Sequence, residues 1–375
     1  MADEQKKLRV GIVGAGEVAQ VIHLPVLSLL AHLYSVSIIC DISKKNADHC
    51  AWKFHIPEST TNPIEVITSA HVDVVFILTS DDSHADYTIA ALEAGKDVMI
   101  EKPITLSRAA AQRIIDAEAK SGGKKVFVGY MRRYAASFTN AFMRELKTIP
   151  KILYARSRDF SGPNASFVDQ SGTFQVKNTS DISPAATSER DQRLSALLQE
   201  NFGPNPTQAQ IDYCRFLGSL GSHDLSLMRE ALGFPESVVG VSVNEPFYSA
   251  IFKMRNRSGA SDDAYFVTYE SGIDGVPEFD AHLAVYGEKK RVSIQYDSPY
   301  VKGLPINVKV SEMNEFGEFQ TREMLSSYED AYTAEMRELW ACLVEGKEIK
   351  TTATDALNEL KLYDLMYEKY AAQGA

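Results

Sequence analysis

Residues 8–19, LRVGIVGAGEVA, decide the fold of the first part of this chain. A short run rich in β-branched residues, 9–13, ends at a glycine cluster, and apolar residues then recur at the helical spacing of three and four. A strand, a glycine turn and a helix in this order make G-x-G-x-x-A a dinucleotide-binding motif. Gly14 permits the tight turn, Gly16 lets a pyrophosphate approach the backbone, and Ala19 allows close packing of the helix against the strand.

The carboxylate that completes this motif is Asp41, which follows the apolar run VSIIC about 20 residues beyond the glycines. A carboxylate at this place accepts hydrogen bonds from the adenosine ribose hydroxyls and repels a 2′-phosphate. NAD is therefore the preferred cofactor, and NADP is the alternative because Lys44 and Lys45 lie close enough in sequence to soften the repulsion. An ordinary turn with a solvated aspartate is the other interpretation of this stretch.

The composition limits the class of protein. With 375 residues the chain is too long for one ordinary core, so two domains are expected. A net charge of −11 argues against a nucleic-acid partner, which needs a basic surface. No apolar run approaches the roughly 18 residues of a membrane span, and MADEQKKLRV lacks the apolar part of a signal peptide. The four cysteines are scattered and lack metal-ligand spacing, which predicts a reduced cytoplasmic protein without a metal.

Polar turns follow three apolar strands in the first part of the chain. The run VDVVFIL is followed by the turn at residues 79–84, DVMI by the turn at residues 101–103, and VFV by the turn at residues 129–134. Five strand–helix units in about 130 residues predict a doubly wound parallel sheet. Because open parallel sheets bind ligands at the carboxyl ends of their strands, we expect these turns to face the cofactor.

Two domains are predicted: residues 1–133 bind the dinucleotide, and residues 134–375 bind the substrate and form the oligomer. Alternating strands within 237–312 predict a large, mostly antiparallel sheet with one packed face and one open face. Residues 159–210 are rich in Ser, Asn, Pro, Asp and Gly, which favours a lid or an oligomer-contacting arm, with disorder as the alternative. Two C-terminal helices are expected to pack back on the first domain.

Five motifs occur in one order over residues 8–233: VGIVGAGEVA, TSDDSHADYTIAALEAGKDV, EKP, GYMRRY and GSHDLSLMREALG. On these motifs the chain resembles the glucose-fructose oxidoreductase / inositol dehydrogenase (Gfo/Idh/MocA) family of nicotinamide-dependent sugar and polyol oxidoreductases. The C-terminal third is similar in layout only. The resemblance implies a Rossmann domain followed by an α+β domain with an open-faced sheet. It also implies NAD(P)-dependent chemistry on a sugar, polyol or sugar acid, and a homodimer or homotetramer formed through that sheet.

Oxidation of an alcohol needs a base for the hydroxyl proton and a cation or donor for the developing alkoxide. Lys102, at a strand end where the nicotinamide should lie, has the chemistry for this task, and the resemblance implies that it is catalytic. The resemblance also places the proton-accepting histidine at His223, whose imidazole titrates near neutral pH.

The chain departs from the family around this histidine. Members that oxidise inositols carry an aspartate four residues before it, where this chain has Ser219, and the aspartate usual three residues after it is Ser226 here. Asp224 is its direct neighbour, and neighbouring helical residues do not share a face. Asp159, in the loop region, is a candidate replacement, and the sequence leaves open which carboxylate, if any, assists the histidine.

The resemblance of GYMRRY to inositol dehydrogenases places its Met-Arg pair beside nicotinamide and substrate. The predicted cofactor-binding residues are Gly14, Gly16, Glu17, Val18, Asp41, Thr79, Ser80, Asp81, His84, Glu101, Lys102 and Arg132. The predicted substrate-binding residues are Tyr130, Met131, Arg132, Asp159, Ser219 and His223.

Two other functions are compatible with the same motifs. One is a cofactor- and sugar-binding regulator without turnover, which the missing carboxylate at Ser219 favours and the retained Lys102 and His223 oppose. The other is an enzyme that cleaves glycosides by transient oxidation and consumes no cofactor. Tightly bound cofactor that does not exchange would indicate this third function.

Overall fold

The computed structural model describes residues 6–256 and 263–374. Their packing divides the chain into two compact units, and the chain passes from one unit to the other five times. The first unit comprises the described residues up to Tyr130, Thr173–Ile211 and Glu335–Leu360. The second unit comprises Met131–Gly172, Asp212–Ala334 and the described residues from Lys361 onward. Each unit therefore gathers segments that are distant in sequence.

A six-stranded parallel sheet forms the centre of the first unit. Its strands are β1 (Leu8–Val13), β2 (Tyr34–Cys40), β3 (Glu58–Thr60), β4 (Val74–Ile77), β5 (Asp97–Glu101) and β6 (Val126–Gly129). They run in the order β3-β2-β1-β4-β5-β6. All four residues of β4 are buried, as expected of a strand covered on both faces. The predicted doubly wound parallel sheet is confirmed.

Helices connect these strands, and polar caps mark where several of them begin. The side chains of Ser43, Asn62, Ser107 and Ser183 each accept a hydrogen bond from an amide in the first turn of the following helix. These caps satisfy donors that have no partner within the helix. The helical segments of this unit are Ala19–His23, Leu24–Leu29, Lys44–Phe54, Pro63–Thr68, Asp81–Ser83, His84–Glu93, Arg108–Lys120, Pro184–Phe202 and Ala341–Glu345.

The turn after β1 lies directly against the end of β4. Gly14 has a φ of 106°, and a Cβ built on it would lie 2.5 Å from the carbonyl oxygen of Leu78. At Gly16, by contrast, no atom of the described residues other than its chain neighbours lies within 4 Å of such a Cβ. The fold therefore requires a glycine at position 14, whereas position 16 leaves open space beside the backbone.

An eight-stranded sheet forms the centre of the second unit. Its strands are β7 (Ile152–Ser161), β8 (Ser237–Asn244), β9 (Phe247–Arg255), β10 (Ala264–Ile273), β11 (Phe279–Gly287), β12 (Lys290–Tyr296), β13 (Asn307–Met313) and β14 (Phe319–Met324). They run in the order β14-β13-β12-β11-β7-β10-β9-β8. Neighbouring strands are antiparallel except β7 and β10. The predicted large, mostly antiparallel sheet is confirmed.

Side chains of this sheet alternate between a packed and an open face. On β10, Tyr265, Val267 and Tyr269 are buried, whereas Phe266 is 44% exposed. Helical segments confined to this unit are Met131–Tyr134, Ser137–Phe142, Met143–Lys147, Asn164–Val168, Leu217–Gly221 and Ser222–Leu232. Helices Gln208–Phe216, Ala331–Trp340 and Ala353–Gln373 contribute residues to both units. None of the described helices has the length and apolar character that crossing a membrane requires.

The region predicted as a lid or arm, residues 159–210, contains a 19-residue helix, Pro184–Phe202, that folds with the first unit. Its start is visible in the sequence, because a serine caps it and proline occupies its first position. Its buried residues are Leu197 and Leu198, both near its end. With so few buried positions, the apolar periodicity that predicts helices is weak here.

The sequence does not predict β14 either. Its residues, FQTREM, are mostly polar, and the strand lies at one edge of the sheet, where most of its side chains are exposed. Polar side chains on an edge strand discourage pairing with other chains. The same polarity removes the alternation of apolar and polar residues from which a strand is predicted.

Gly14→Ala should lower the free energy of unfolding of the first unit by about 2–4 kcal/mol, because the new Cβ meets both an unfavourable φ and the Leu78 carbonyl. Gly16→Ala is the matched control and should leave the thermal midpoint within about 1 °C of the unsubstituted protein. Thermal unfolding followed by circular dichroism compares the two. Equal losses of stability would contradict the close approach at Gly14.

Candidate active site

Asp41 ties the glycine turn to the end of β2. Its Oδ2 accepts the amide of Ala15 at 2.7 Å, and its Oδ1 accepts the amide of Ser43 at 2.8 Å. Burial raises the pKa of the Asp41 carboxyl above its ordinary value, although both amide hydrogen bonds favour the ionised form. The carboxylate is therefore held beside the turn, at the place where the motif predicts the adenosine ribose.

The glycine turn also contacts residues 173–183, which we call the strap. Glu17 accepts hydrogen bonds from Lys177 at 2.7 Å and from Gln175 at 3.2 Å. Val18 is half-buried and precedes the helical segment Ala19–His23. The strap belongs to the first unit, so a segment distant in sequence adjoins the predicted pyrophosphate turn.

His84 joins the turns that follow β4 and β5. Its ring is buried, with Nδ1 2.7 Å from the carbonyl oxygen of Pro103 and Nε2 3.1 Å from the carbonyl oxygen of Thr79. Because Pro103 directly follows Lys102, this contact holds the backbone beside the predicted catalytic lysine. His84 thus holds these two turns together through its two ring nitrogens.

Glu101 is buried at the end of β5 and binds two neighbours. Its Oε1 lies 2.7 Å from Nε2 of His23, and its Oε2 accepts the amide of Lys102 at 3.1 Å. Burial opposes ionisation of Glu101, but His23 and Lys102 together hold the pKa of this carboxyl below its ordinary value. The backbone of Lys102 is therefore fixed on one side by Glu101 and on the other through Pro103, while its side chain is half-buried.

Sequence reasoning missed two members of this cluster, His23 and Glu335. Glu335 is fully buried, and neither of its carboxyl oxygens has a hydrogen-bond partner among the described residues. Burial and the nearby charge of Glu101 raise the pKa of Glu335 well above its ordinary value. A signal existed, because position 335 falls on the same helical face as the apolar residues Tyr332 and Leu339. A glutamate in such a stripe indicates a buried acid.

Arg132 lies buried in the second unit between two carboxylates. Its terminal nitrogens donate to Asp159 at 2.9 Å and to Asp224 at 2.5 Å. Burial opposes the charged guanidinium, but the two carboxylates raise the pKa of Arg132 above its ordinary value, and burial raises that of Asp224 well above its own. Arg132 and Asp159, predicted to bind cofactor or substrate, thus bind each other in a buried triad.

His223 is half-buried in helix Ser222–Leu232. The next residue, Asp224, fastens this helix to Arg132. Ser219, which stands where inositol-oxidising members carry aspartate, is exposed in the preceding turn. The carboxylate of Asp224 is therefore next to His223 in the sequence, but it binds Arg132.

Within each unit the structure gathers part of the predicted set. In the first unit, the glycine turn, Asp41, residues 79–84 and Lys102 follow the carboxyl ends of neighbouring strands. Ser80 is exposed and Asp81 is half-buried in this group. In the second unit, Arg132 and Asp159 join the helix that carries His223. Tyr130 and Met131 are buried where the chain leaves the first unit.

The first unit has the features that a dinucleotide needs. The open space beside Gly16 allows close approach of a pyrophosphate, and Asp41 offers a carboxylate to the ribose hydroxyls. Lys102 and His223 are groups that can take up or donate a proton. Throughout 6–256 and 263–374, no three or more His, Cys, Asp or Glu residues are grouped so that they could hold a metal ion.

Known proteins are similar to this chain to different extents. The chain is 38% identical to the inositol 2-dehydrogenase of Salmonella typhimurium over 128 residues, which is 34% of this chain and 38% of that protein. It is 23% identical to the scyllo-inositol 2-dehydrogenase (NAD(+)) of Bacillus subtilis over 378 residues, 96% of this chain and 92% of that protein. The structure of a levoglucosan dehydrogenase in complex with NADH and levoglucosan is similar in fold, with a TM-score of 0.72 at 16% identity and 98% coverage of both chains.

Two family models match the chain and agree with its two sheets. Residues 8–130 match the NAD-binding Rossmann fold of the Gfo/Idh/MocA oxidoreductase family, and residues 213–374 match the C-terminal alpha/beta domain of the same family. The first match contains β1 to β6, and the second contains β8 to β14. The family that the motifs of residues 8–233 predict is therefore confirmed: this chain belongs to the Gfo/Idh/MocA family of NAD(P)-dependent oxidoreductases.

Proposed function

We propose that the protein is a dehydrogenase or reductase that transfers a hydride between nicotinamide and a CH–OH or carbonyl group of a sugar, polyol or sugar acid. The observation that carries this proposal is the carboxyl edge of the first sheet. There an open glycine turn, the Asp41 carboxylate and the anchored Lys102 follow neighbouring strands. The scyllo-inositol 2-dehydrogenase that aligns with nearly the whole chain supports a polyhydroxylated substrate.

Lys102 is proposed as the catalytic residue of the first unit. A bound nicotinamide supplies the acceptor for the hydride that leaves the substrate carbon. Lys102 takes the hydroxyl proton when its amine is neutral, and stabilises the developing alkoxide when its amine is charged. Its backbone is fixed by Glu101 and, through Pro103, by His84, which favours a constant position of the amine.

His223 is proposed to exchange the proton with solvent or with the substrate hydroxyl. The buried triad supports this role, because Asp224 fastens the start of the helix that presents His223. In this proposal Arg132 and Asp159 act as positioning residues, and Ser219 offers a hydroxyl to the substrate. Tyr130 and Met131 are proposed to border the same substrate.

We propose that residues 1–133 act as the dinucleotide-binding domain and residues 134–375 as the domain for substrate and oligomerisation. The open face of the second sheet supports an oligomer, because it exposes several large apolar side chains in neighbouring strands. Phe247, Ile251 and Phe266 are 37–44% exposed there. A patch of this kind on a sheet face favours burial in a homodimer or homotetramer.

A regulator without turnover is the second candidate. Ser219 favours it, because the carboxylate that assists the histidine in inositol-oxidising members is a surface hydroxyl here. The anchored Lys102 opposes it, since a protein that only senses cofactor needs no fixed amine. Absence of turnover on a panel of inositols, aldoses and uronates, with dinucleotide binding demonstrated separately, would favour the regulator.

Lys102→Ala should reduce turnover by about a hundredfold or more, the usual contribution of a general acid or base, while NAD binding changes little. Reduced nicotinamide absorbance measures turnover on inositols, aldoses and uronates. Lys347→Ala is the control, because Lys347 is an exposed lysine of the same unit that pairs with Glu338 at 2.7 Å. Undiminished turnover in Lys102→Ala would remove Lys102 from the catalytic role.

Asp41→Ala should weaken NAD binding about tenfold and lower the preference for NAD over NADP, because the ribose loses a charged acceptor. Fluorescence titration with the reduced forms, NADH and NADPH, measures the two affinities. Asp41→Asn removes the charge and keeps one acceptor oxygen, so it can still bind one of the two amides of Ala15 and Ser43, which Asp41 accepts on different oxygens. An unchanged ratio of the two affinities in both variants would remove Asp41 from the ribose site.

A further inference from the structure

The strap places a second carboxylate at the start of helix Lys44–Phe54, directly after Asp41. Oδ1 of Asp181 accepts the hydroxyl of Ser43 at 2.7 Å, and Oδ2 accepts the amide of Lys45 at 3.1 Å. Asp41 accepts the amide of the same serine. Two carboxylates from distant parts of the chain therefore bind one residue, Ser43.

The amides of Ser43, Lys45 and Asn46 at this helix start are already engaged. Each has an acceptor within the protein: the amide of Ser43 donates to Asp41, that of Lys45 to Asp181, and that of Asn46 to Oγ of Ser43 at 3.2 Å. A phosphate near a helix N-terminus normally binds through such free amides. A 2′-phosphate arriving here would have to displace a carboxylate from them.

The two nearby lysines are also engaged. Nζ of Lys44 pairs with Asp48 one turn along the helix and donates to Oγ of Ser59 at 3.1 Å. Nζ of Lys45 donates to Oγ of Ser180 in the strap at 2.8 Å. Both ammonium groups therefore already contact other side chains of the protein. Asp48 thus offsets the charge of Lys44, whereas Lys45 donates to a neutral hydroxyl and keeps its charge.

A buried glutamine fixes the strap to the glycine turn. Nε2 of Gln20 donates to the carbonyl oxygens of Ala15 and Val176, both at 2.8 Å, and Oε1 accepts the amide of Val176 at 2.9 Å. Further along, the amide of Asn178 donates to Oδ1 of Asn46 at 2.9 Å. These contacts hold the strap against Gln20 and against Asn46 of helix Lys44–Phe54. Asp181 therefore has a defined position at the start of that helix.

We propose that Asp181 is a second specificity residue, which excludes the 2′-phosphate of NADP while Asp41 receives the 2′-hydroxyl of NAD. Two negative charges at the start of helix Lys44–Phe54 repel a dianionic phosphate, and the satisfied amides offer it no compensation. The inference rests on the proposed function, because it assumes that the ribose lies against Asp41. The Ser43 hydroxyl and the Lys45 amide hold the pKa of Asp181 below its ordinary value, so this exposed carboxyl is charged at neutral pH.

The test is the ratio of the dissociation constants for NADPH and NADH, measured by fluorescence titration of the full chain. Asp181→Asn keeps the shape of the side chain and removes its charge. We expect it to strengthen NADPH binding about tenfold, the effect of one screened charge pair, and to leave NADH binding within about threefold. Asp191→Asn is the matched control, because this exposed carboxylate pairs with its neighbour Arg190 at 2.8 Å. It should change neither affinity.

Salt provides a second measurement that needs no variant. In the unsubstituted protein, the dissociation constant for NADPH divided by that for NADH should fall several-fold between about 50 mM and about 500 mM NaCl, because salt screens charge repulsion. A ratio that Asp181→Asn leaves unchanged, or one that does not respond to salt, overturns the role of Asp181. Failure of the unsubstituted protein to bind either nucleotide overturns the proposed function itself, and the two failures are thus distinguishable.

Discussion

The first unit depends on the close approach of the glycine turn to the neighbouring strand end. No side chain fits between Gly14 and the carbonyl of Leu78, so the turn lies flat against the end of β4. In this position the amide of Ala15 reaches Asp41, and Gly16 faces open space. One steric constraint thus sets the distance between the predicted pyrophosphate and ribose positions.

Buried charged pairs lie beside Lys102 and His223, the proposed reactive residues. Glu101 is paired with His23 and accepts the amide of Lys102, while Asp224, the residue next to His223, is paired with Arg132. An unpaired charge at such depth is costly, so these pairs resist rearrangement. The lysine and the histidine themselves are only half-buried. The buried, paired residues are therefore adjacent in sequence to the residues proposed to react.

Local signals were enough to predict the first sheet and the residues at its carboxyl edge. The glycine turn, the strand before Asp41 and the EKP tripeptide each occupy a short stretch whose pattern is independent of the rest of the fold. Pairings across long stretches were not predictable. Arg132 and its partner Asp224 are 92 residues apart, and the local sequence around either residue does not predict that they pair.

The strap shows the same limit more strongly. Its sequence is polar and irregular, so it indicates a loop but not where the loop lies. Only the folded chain shows that Gln20, an ordinary position in a helix, binds both the strap and the glycine turn. Tertiary packing, rather than local propensity, selected these partners.

The interleaved course of the chain has a consequence for its synthesis. The hydroxyl of Tyr34 donates to the carbonyl of Met336 at 2.6 Å, and the indole of Trp340 donates to the carbonyl of Lys6 at 2.9 Å. The first unit therefore lacks some of its own contacts until the ribosome has translated past residue 340. A fragment cut after β6 would keep the motif but lose these late contacts. This unit is thus a poor candidate for transfer as a single cassette into another protein.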